Sequence, residues 1–264
     1  MTAKVNGLCI AKCKVLRKAV EVRIMESQEQ LNGPENEAQS YSVPWKPIDN
    51  WIGIFLLVLI DVGLLLVASQ GVGTQLAQSV VLIFVQLIYL LPLIVVFAYR
   101  RINPKSLGFG MFEWSTLGLG CGLLIVSYMI ILVHNTILTF LGVGTQGDEI
   151  LKLFDALDSP VWFIVVGVIF APVVEELFFR GFLFQGFRQK YGWIGGVLLS
   201  SAVFAVAHLD PVALIPTFIL GCLLAYMYHR SNSVWPGIII HVLVNAMGLC
   251  GAYATMQFPN LIPV

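Results

Sequence analysis

Two adjacent carboxylates and a guanidinium, Glu175, Glu176 and Arg180, stand inside the apolar run from Val161 to Phe184. Ionisable groups in such a run are costly, so they face a cavity and pair with one another. On a helix Glu176 and Arg180 are four apart and share a face, so they pair. Glu175 points about 100° away at ~3.6 residues per turn, which leaves one carboxylate neutralised and its neighbour in need of another partner. Two other stretches of the apolar half carry suitable polar groups, Phe204-Ala205-Val206-Ala207-His208 and His241-Val242-Leu243-Val244-Asn245. Phe204 and His208 share one helix face, and so do His241 and Asn245. Three helices can therefore aim a carboxylate, an imidazole and an imidazole–carboxamide pair at one internal cavity. That set suffices in kind for amide hydrolysis. A carboxylate or imidazole takes a proton from water, and neutral donors bind the oxyanion that develops on the carbonyl.

The elements that position these groups must be membrane helices. Of 264 residues, 58% are hydrophobic and 11% are charged, against roughly 25% charge in a soluble domain. The formal net charge is zero, which argues against a nucleic-acid partner. Apolar segments run from about Trp51 to Ser69, Val80 to Tyr99, Trp114 to Leu132, Trp162 to Phe184, Trp193 to Leu209, Val212 to Tyr228 and Val234 to Tyr253. The expected fold is all-α: a polytopic transmembrane bundle of seven helices, or eight if one splits. Trp51, Trp114, Trp162, Trp193 and Trp235 each open one of these runs, where an indole with an apolar ring and a wet N–H belongs. A short amphipathic helix is expected between Val143 and Ser159.

If the helices alternate, every Lys and Arg except Lys152 falls on one side. The positive-inside rule then places the N-terminus in the cytoplasm. Residues 1–45 form a polar tail, basic from Lys4 to Arg23 and acidic from Glu26 to Glu37. It buries too little apolar surface to fold and reads as disordered. It holds no apolar core long enough for a secretory signal, and Met25 is an alternative start. Residues 46–264 then form the membrane domain. The five cysteines show neither a disulfide framework nor a zinc spacing. Asp61 reads as a bundle-facing residue bonded to a neighbour. The pairs Gly118/Gly122 and Gly192/Gly196 fit small-residue helix packing, and Pro172 reads as a kink. His134 and His229 belong to no motif, and His229 reads as interfacial. One mismatch stands. With a turn near Gly192, Glu175 and His208 lie ~25 Å from it at 1.5 Å per residue, while His241 lies only ~12 Å from its own turn. Tilt, or a fourth helix reaching past the membrane, must absorb the difference.

The stretches EELFFR, FAVAH and HVLVN resemble the motifs EExxxR, FxxxH and HxxxN/B of the CPBP family. That family includes the type II CAAX prenyl endoproteases and the Abi bacteriocin-immunity proteins. The resemblance covers about Trp162 to Tyr253. It implies an intramembrane protease whose cavity opens to the cytosol. By motif, Glu175 looks like the water-activating glutamate and His208 its partner. His241 and Asn245 look like the groups that hold the substrate carbonyl, with Glu176, Arg180 and Phe204 in support. The implied chemistry needs no cofactor. Zinc on Glu175, His208 and His241 is the alternative, opposed by the fixed charge of Arg180 and by the lack of an HExxH helix. The expected partners are the bilayer and a membrane-bound peptide, with a prenylated CAAX-type substrate implied by the resemblance. The expected location is the cytoplasmic membrane of a bacterium. A non-catalytic immunity or chaperone-like protein of the same fold is the second reading. A transporter is a third, but no inverted repeat relates the two halves.

Overall fold

The computed structural model describes residues 42–68, 86–157 and 159–258. The polar tail, Met25, Cys9, Cys13 and the start of the second apolar segment at Val80 lie outside the described residues. All regular structure among the described residues is helical. The elements are α1 (Pro47–Ala68), α2 (Leu91–Arg100), α3 (Trp114–Phe140), α4 (Gln146–Ala156), α5 (Val161–Ala207), α6 (Leu214–Ser231) and α7 (Trp235–Gln257). A 3-10 turn, Pro104–Leu107, lies between α2 and α3. Among the described residues the count is the expected seven, with a different make-up. Two apolar segments fuse into α5, and the amphipathic α4 takes the vacated place.

Among the described residues, four helices are long and apolar enough to cross a membrane: α1, α3, α5 and α7. α6 has the length but ends on His229, Arg230 and Ser231, which dilute its hydropathy. α5 bends at Gly192, where φ is 73° and ψ is 174°. A side chain disfavours that conformation, so glycine sits at the bend. Its two legs pack together, with Phe179 of the first edge-on to Phe204 of the second at 5.0 Å.

The first leg is not a plain α-helix. It is π-helical over Val166–Phe170 and again over Glu176–Phe184. π turns recur at functional sites because they rephase side chains relative to the helix they interrupt. Arg188 Nη1 donates to Asn232 Oδ1 at 2.9 Å, so the α6–α7 turn lies level with residue 188 and short of the bend at Gly192. From that level Glu175 is ~20 Å along its helix and His241 ~14 Å along α7, at 1.5 Å per residue. The depth mismatch thus shrinks because α5 overshoots its neighbours. The nine-residue π stretch, wound more loosely than an α-helix, absorbs more of it.

The basic-rich end is sealed by aromatic packing and polar clasps. Trp45 is 2% exposed and wedges between Phe97 at 5.6 Å and Phe182 at 5.4 Å. Each such ring pair contributes about 0.5–1.5 kcal/mol beyond burial. Asp49 accepts two bonds from Arg100 Nε and one from Nη2, the last at 2.8 Å. Asn50 Nδ2 donates to Leu183 O at 2.8 Å, and Tyr228 Oη to Leu107 O at 3.1 Å. The loops after α2 and α6 therefore meet the start of α1 and the middle of α5 at one end. α4 lies at the other, with Phe154 wholly buried against Phe163 and Tyr253.

Several local readings resolve. Asp61 is buried and accepts from Tyr89 Oη at 2.6 Å, as expected for a bundle-facing acid. His229 stacks on Trp193 at 4.8 Å. The glycine pair in α3 does not pack: a Cβ at Gly118 or Gly122 would meet open space, whereas one at Gly120 would strike Met227. The residue between the two carries the close helix approach. Gly192 forms the bend, and a Cβ on Gly196 would meet the backbone and Cβ of Arg188 in its own helix.

Candidate active site

The first leg of α5 brings both glutamates to α7. Glu176 is fully buried and Arg180 is 1% exposed. Arg180 Nη1 donates to Glu176 Oε1 at 2.6 Å, the i,i+4 pairing anticipated from the sequence. Arg180 also donates through Nη2 to Gly221 O at 3.3 Å, and its guanidinium lies 4.3 Å over the Phe204 ring. The cation is therefore held by a carboxylate, a carbonyl and a π face, the kind of multiple partnering a buried charge needs.

His241 closes the other side of the same carboxylate. Its Nδ1 lies 3.0 Å from Glu176 Oε1. A carboxylate only accepts, so Nδ1 carries a proton there. Nε2 then faces away from Glu176 and lies 3.6 Å from Glu175 Oε2. A continuous row results, Arg180 to Glu176 to His241 to Glu175. Glu175 is the member that meets the outside, with a side chain 20% exposed. Its Oε2 is buried without a hydrogen bond among the described residues. Glu176 keeps its second oxygen, Oε2, without a hydrogen bond as well. A Cβ on Gly237 would come within 2.7 Å of that atom. Glycine at 237 therefore lets α7 close onto the carboxylate.

His208 caps the second leg of α5. Its Nδ1 is 2.8 Å from Phe204 O; a carbonyl only accepts, so this nitrogen is the donor and Nε2 is left with the acceptor lone pair. Phe204 is fully buried and stands edge-on to His208 at 4.7 Å and to His241 at 5.8 Å. It is the aromatic spacer that sets the two imidazoles apart. Asn245 departs from the expected carbonyl-binding placement: its Nδ2 donates to Gly167 O at 2.8 Å. One of its two donor hydrogens is thus committed to the backbone of α5.

A cavity of about 460 Å³ begins at His208, His241 and Asn245. It continues between α3, α6 and α7 to Gln146, Gly147 and Ile150 of α4. Its wall is mostly apolar with a few neutral hydrogen-bonding side chains, among them Tyr128, Asn135 and Thr217. Among the described residues no three His, Cys, Asp or Glu side chains lie together as metal ligands.

Residues 157–247 match the family model described as "Rce1-like: Type II CAAX prenyl endopeptidase Rce1-like". This segment is similar to the core of the CPBP family. It holds all three motifs and the whole row from Arg180 to Glu175. Among curated proteins the chain is 27% identical over 104 residues to the "Putative membrane peptidase YdiL" of Bacillus subtilis (strain 168), covering 39% of this chain and 43% of that protein. It is 30% identical over 105 residues to the "Uncharacterized 24.3 kDa protein" of Escherichia coli, covering 37% and 48% respectively. The matches span about half the length of these relatives. No solved structure matches. The first four helices fall outside the matched residues, yet α3 and α4 supply walls of the cavity and Gln86, ahead of α2, also lines it.

Sequence reasoning missed Gly237 and Gly167, since a glycine in an apolar helix signals nothing until its neighbour is known. It also paired Glu175 with His208, whereas the imidazole in contact with Glu175 is that of His241.

Proposed function

We infer that the protein is an intramembrane endopeptidase that hydrolyses a peptide bond of a membrane-associated substrate. The observation that carries this reading is the row Arg180–Glu176–His241–Glu175 standing beside the cavity at membrane depth. Glu175 takes the proton from a water held against it, a step that contributes typically 10²–10⁴-fold. His241, fixed in place through Nδ1 by Glu176, donates to the oxyanion that forms on the carbonyl through Nε2 in its imidazolium form. His208 presents the lone pair of Nε2 to the same cavity and accepts a hydrogen bond from the attacking water, and Glu175 hands the proton it has taken to the leaving amine. Glu176 and Arg180 neutralise each other and orient His241 without touching substrate. The reaction runs without a metal.

The substrate class follows the family match: a membrane-bound peptide, with a prenylated CAAX-type C-terminus as its specific form. The apolar wall of the cavity suits a chain or side chain drawn from the bilayer. The bacterial relatives and the clustering of basic residues at one end support a location in a bacterial cytoplasmic membrane, basic end inward.

The test is cleavage of a farnesylated CAAX peptide and of its unmodified counterpart by protein reconstituted in vesicles. Glu175→Gln should abolish cleavage while the melting temperature stays within error of wild type. Undiminished cleavage by that variant would refute the role of Glu175. Equal cleavage of both peptides would refute the prenylated substrate alone.

A further inference from the structure

The hydrogen bond from Asn245 to Gly167 has a cause in the sequence of the partner helix. In the π stretch Val166–Phe170, Ala171 N–H bonds to Val166 O, five residues back. The next amide in that register would reach Gly167 O. Residue 172 is proline and has no N–H to give. A carbonyl left open inside a membrane helix must find another donor. Asn245 supplies it at 2.8 Å. The approach is close on both sides: a Cβ on Gly167 would strike Leu249 Cδ1 at 2.7 Å, and Leu249 lies one turn beyond Asn245. Asn245 in turn lies one turn beyond His241, the residue that faces Glu175.

We propose that Asn245 is a positioning residue: it replaces the backbone hydrogen bond that Pro172 removes and thereby holds α7 against α5 at the distance where His241 meets Glu175. The proline and the asparagine form one device in two helices. Proline opens the carbonyl, the π turn aims it at α7, and the carboxamide closes it. The chain of consequence runs through geometry and not through contact with the scissile carbonyl. The catalytic part of this proposal rests on the endopeptidase reading, while the clasp stands apart from it.

A double-mutant cycle separates the two. Pro172→Ala restores an N–H that can reach Gly167 O, so it should make Asn245 dispensable. Asn245→Leu alone, near in size and without a donor, should lower the melting temperature by about 2–4 °C, the shift expected for one lost hydrogen bond in a chain of this size. In the Pro172→Ala background the same change should shift it by less than half as much. Additive shifts would overturn the clasp, whether or not the protein cleaves anything. For cleavage, Asn245→Leu should lower kcat by up to about 100-fold, the cost of a misplacement of about 1 Å at the reacting groups, with KM little changed, and Pro172→Ala should rescue kcat. An equal loss of kcat in both backgrounds would show that Asn245 acts on the substrate itself. Asn245→Gln retains the donor and keeps the cycle readable if the leucine variant fails to fold. Partial retention of kcat in it supports the clasp, and total loss opposes it. Absence of cleavage by wild-type protein would sink the endopeptidase reading and the catalytic part, and leave the thermal cycle to decide the clasp.

Discussion

Removing the guanidinium of Arg180 is the most informative single perturbation of the polar row. Arg180 and Glu176 are each nearly or wholly inaccessible and 2.6 Å apart. Arg180→Ala leaves the Glu176 carboxylate buried with only His241 Nδ1 at 3.0 Å to answer it. Breaking a buried pair by deleting one partner costs about 3–5 kcal/mol. For a domain of this size each kcal/mol moves the midpoint by about 2–4 °C, so the loss should be roughly 6–20 °C. The assay is thermal unfolding of purified protein in mild detergent, followed by intrinsic fluorescence. The control is Glu176→Gln with Arg180→Met in one protein. It removes both charges, fills similar volume, and should recover most of the loss, because a buried pair replaced by well-packed neutral groups is close to neutral. A melting temperature for Arg180→Ala within 2 °C or so of wild type would refute the idea that Glu176 depends on Arg180. So would a double variant no more stable than the single one. Cleavage should fall in both, since both disturb the group that orients His241.

The remaining expectations concern other parts of the molecule. Gly237→Ala places a Cβ 2.7 Å from Glu176 Oε2 and should destabilise by about 1–3 kcal/mol, as overpacking does, measurable in the same thermal assay. Asp148 accepts from Thr145 N–H at 2.6 Å and from its hydroxyl at 2.9 Å, and these bonds, the backbone one first, hold its carboxyl below the ordinary 3.8. A depressed folded value means the stabilisation is present above the ordinary value and is lost as pH falls through the lowered one. Amide exchange in α4 should therefore be steady through neutral pH and quicken in acid, and Asp148→Ala should abolish that acid dependence. Chelation should leave cleavage unchanged; activity that is lost with a chelator and restored by stoichiometric zinc would overturn the metal-free chemistry.

Much of this site was legible because its spacing is helical. Glu176 and Arg180 are four apart, and the bond between them forms as the period requires. His241 and Asn245 do share a face and line one cavity. What the period hides is any change in the period itself. The π turns at Val166–Phe170 and Glu176–Phe184 rephase α5, and nothing in their composition marks them. Pro172 could be read as a kink, but the carbonyl it opens is identified only when the register before it is known. The match between Glu175 and His241 is a fact of helix depth, set by the overshoot of α5 beyond the turn at Asn232. Glycines misled for a similar reason. Gly118 and Gly122 carry the familiar spacing, yet Gly120 is the one facing Met227, because the facing surface is set by the neighbour.

The order in which the bonds of the polar row become available bears on how the chain enters a bilayer. The Glu176–Arg180 bond spans four residues, and the Glu176–His241 bond spans 65. The short one needs only one formed helical turn, so α5 can leave the insertion machinery with that acid and that base already neutralising each other. The long one must wait until α7 has been made and has moved alongside. During that interval Glu175 is the uncompensated charge of the leg, and isolated carboxylates near a helix centre are resisted by several kcal/mol. Insertion of α5 should accordingly be limited by Glu175 and indifferent to the Glu176–Arg180 pair, so the residue placed at the centre of the chemistry is also the one that taxes membrane assembly.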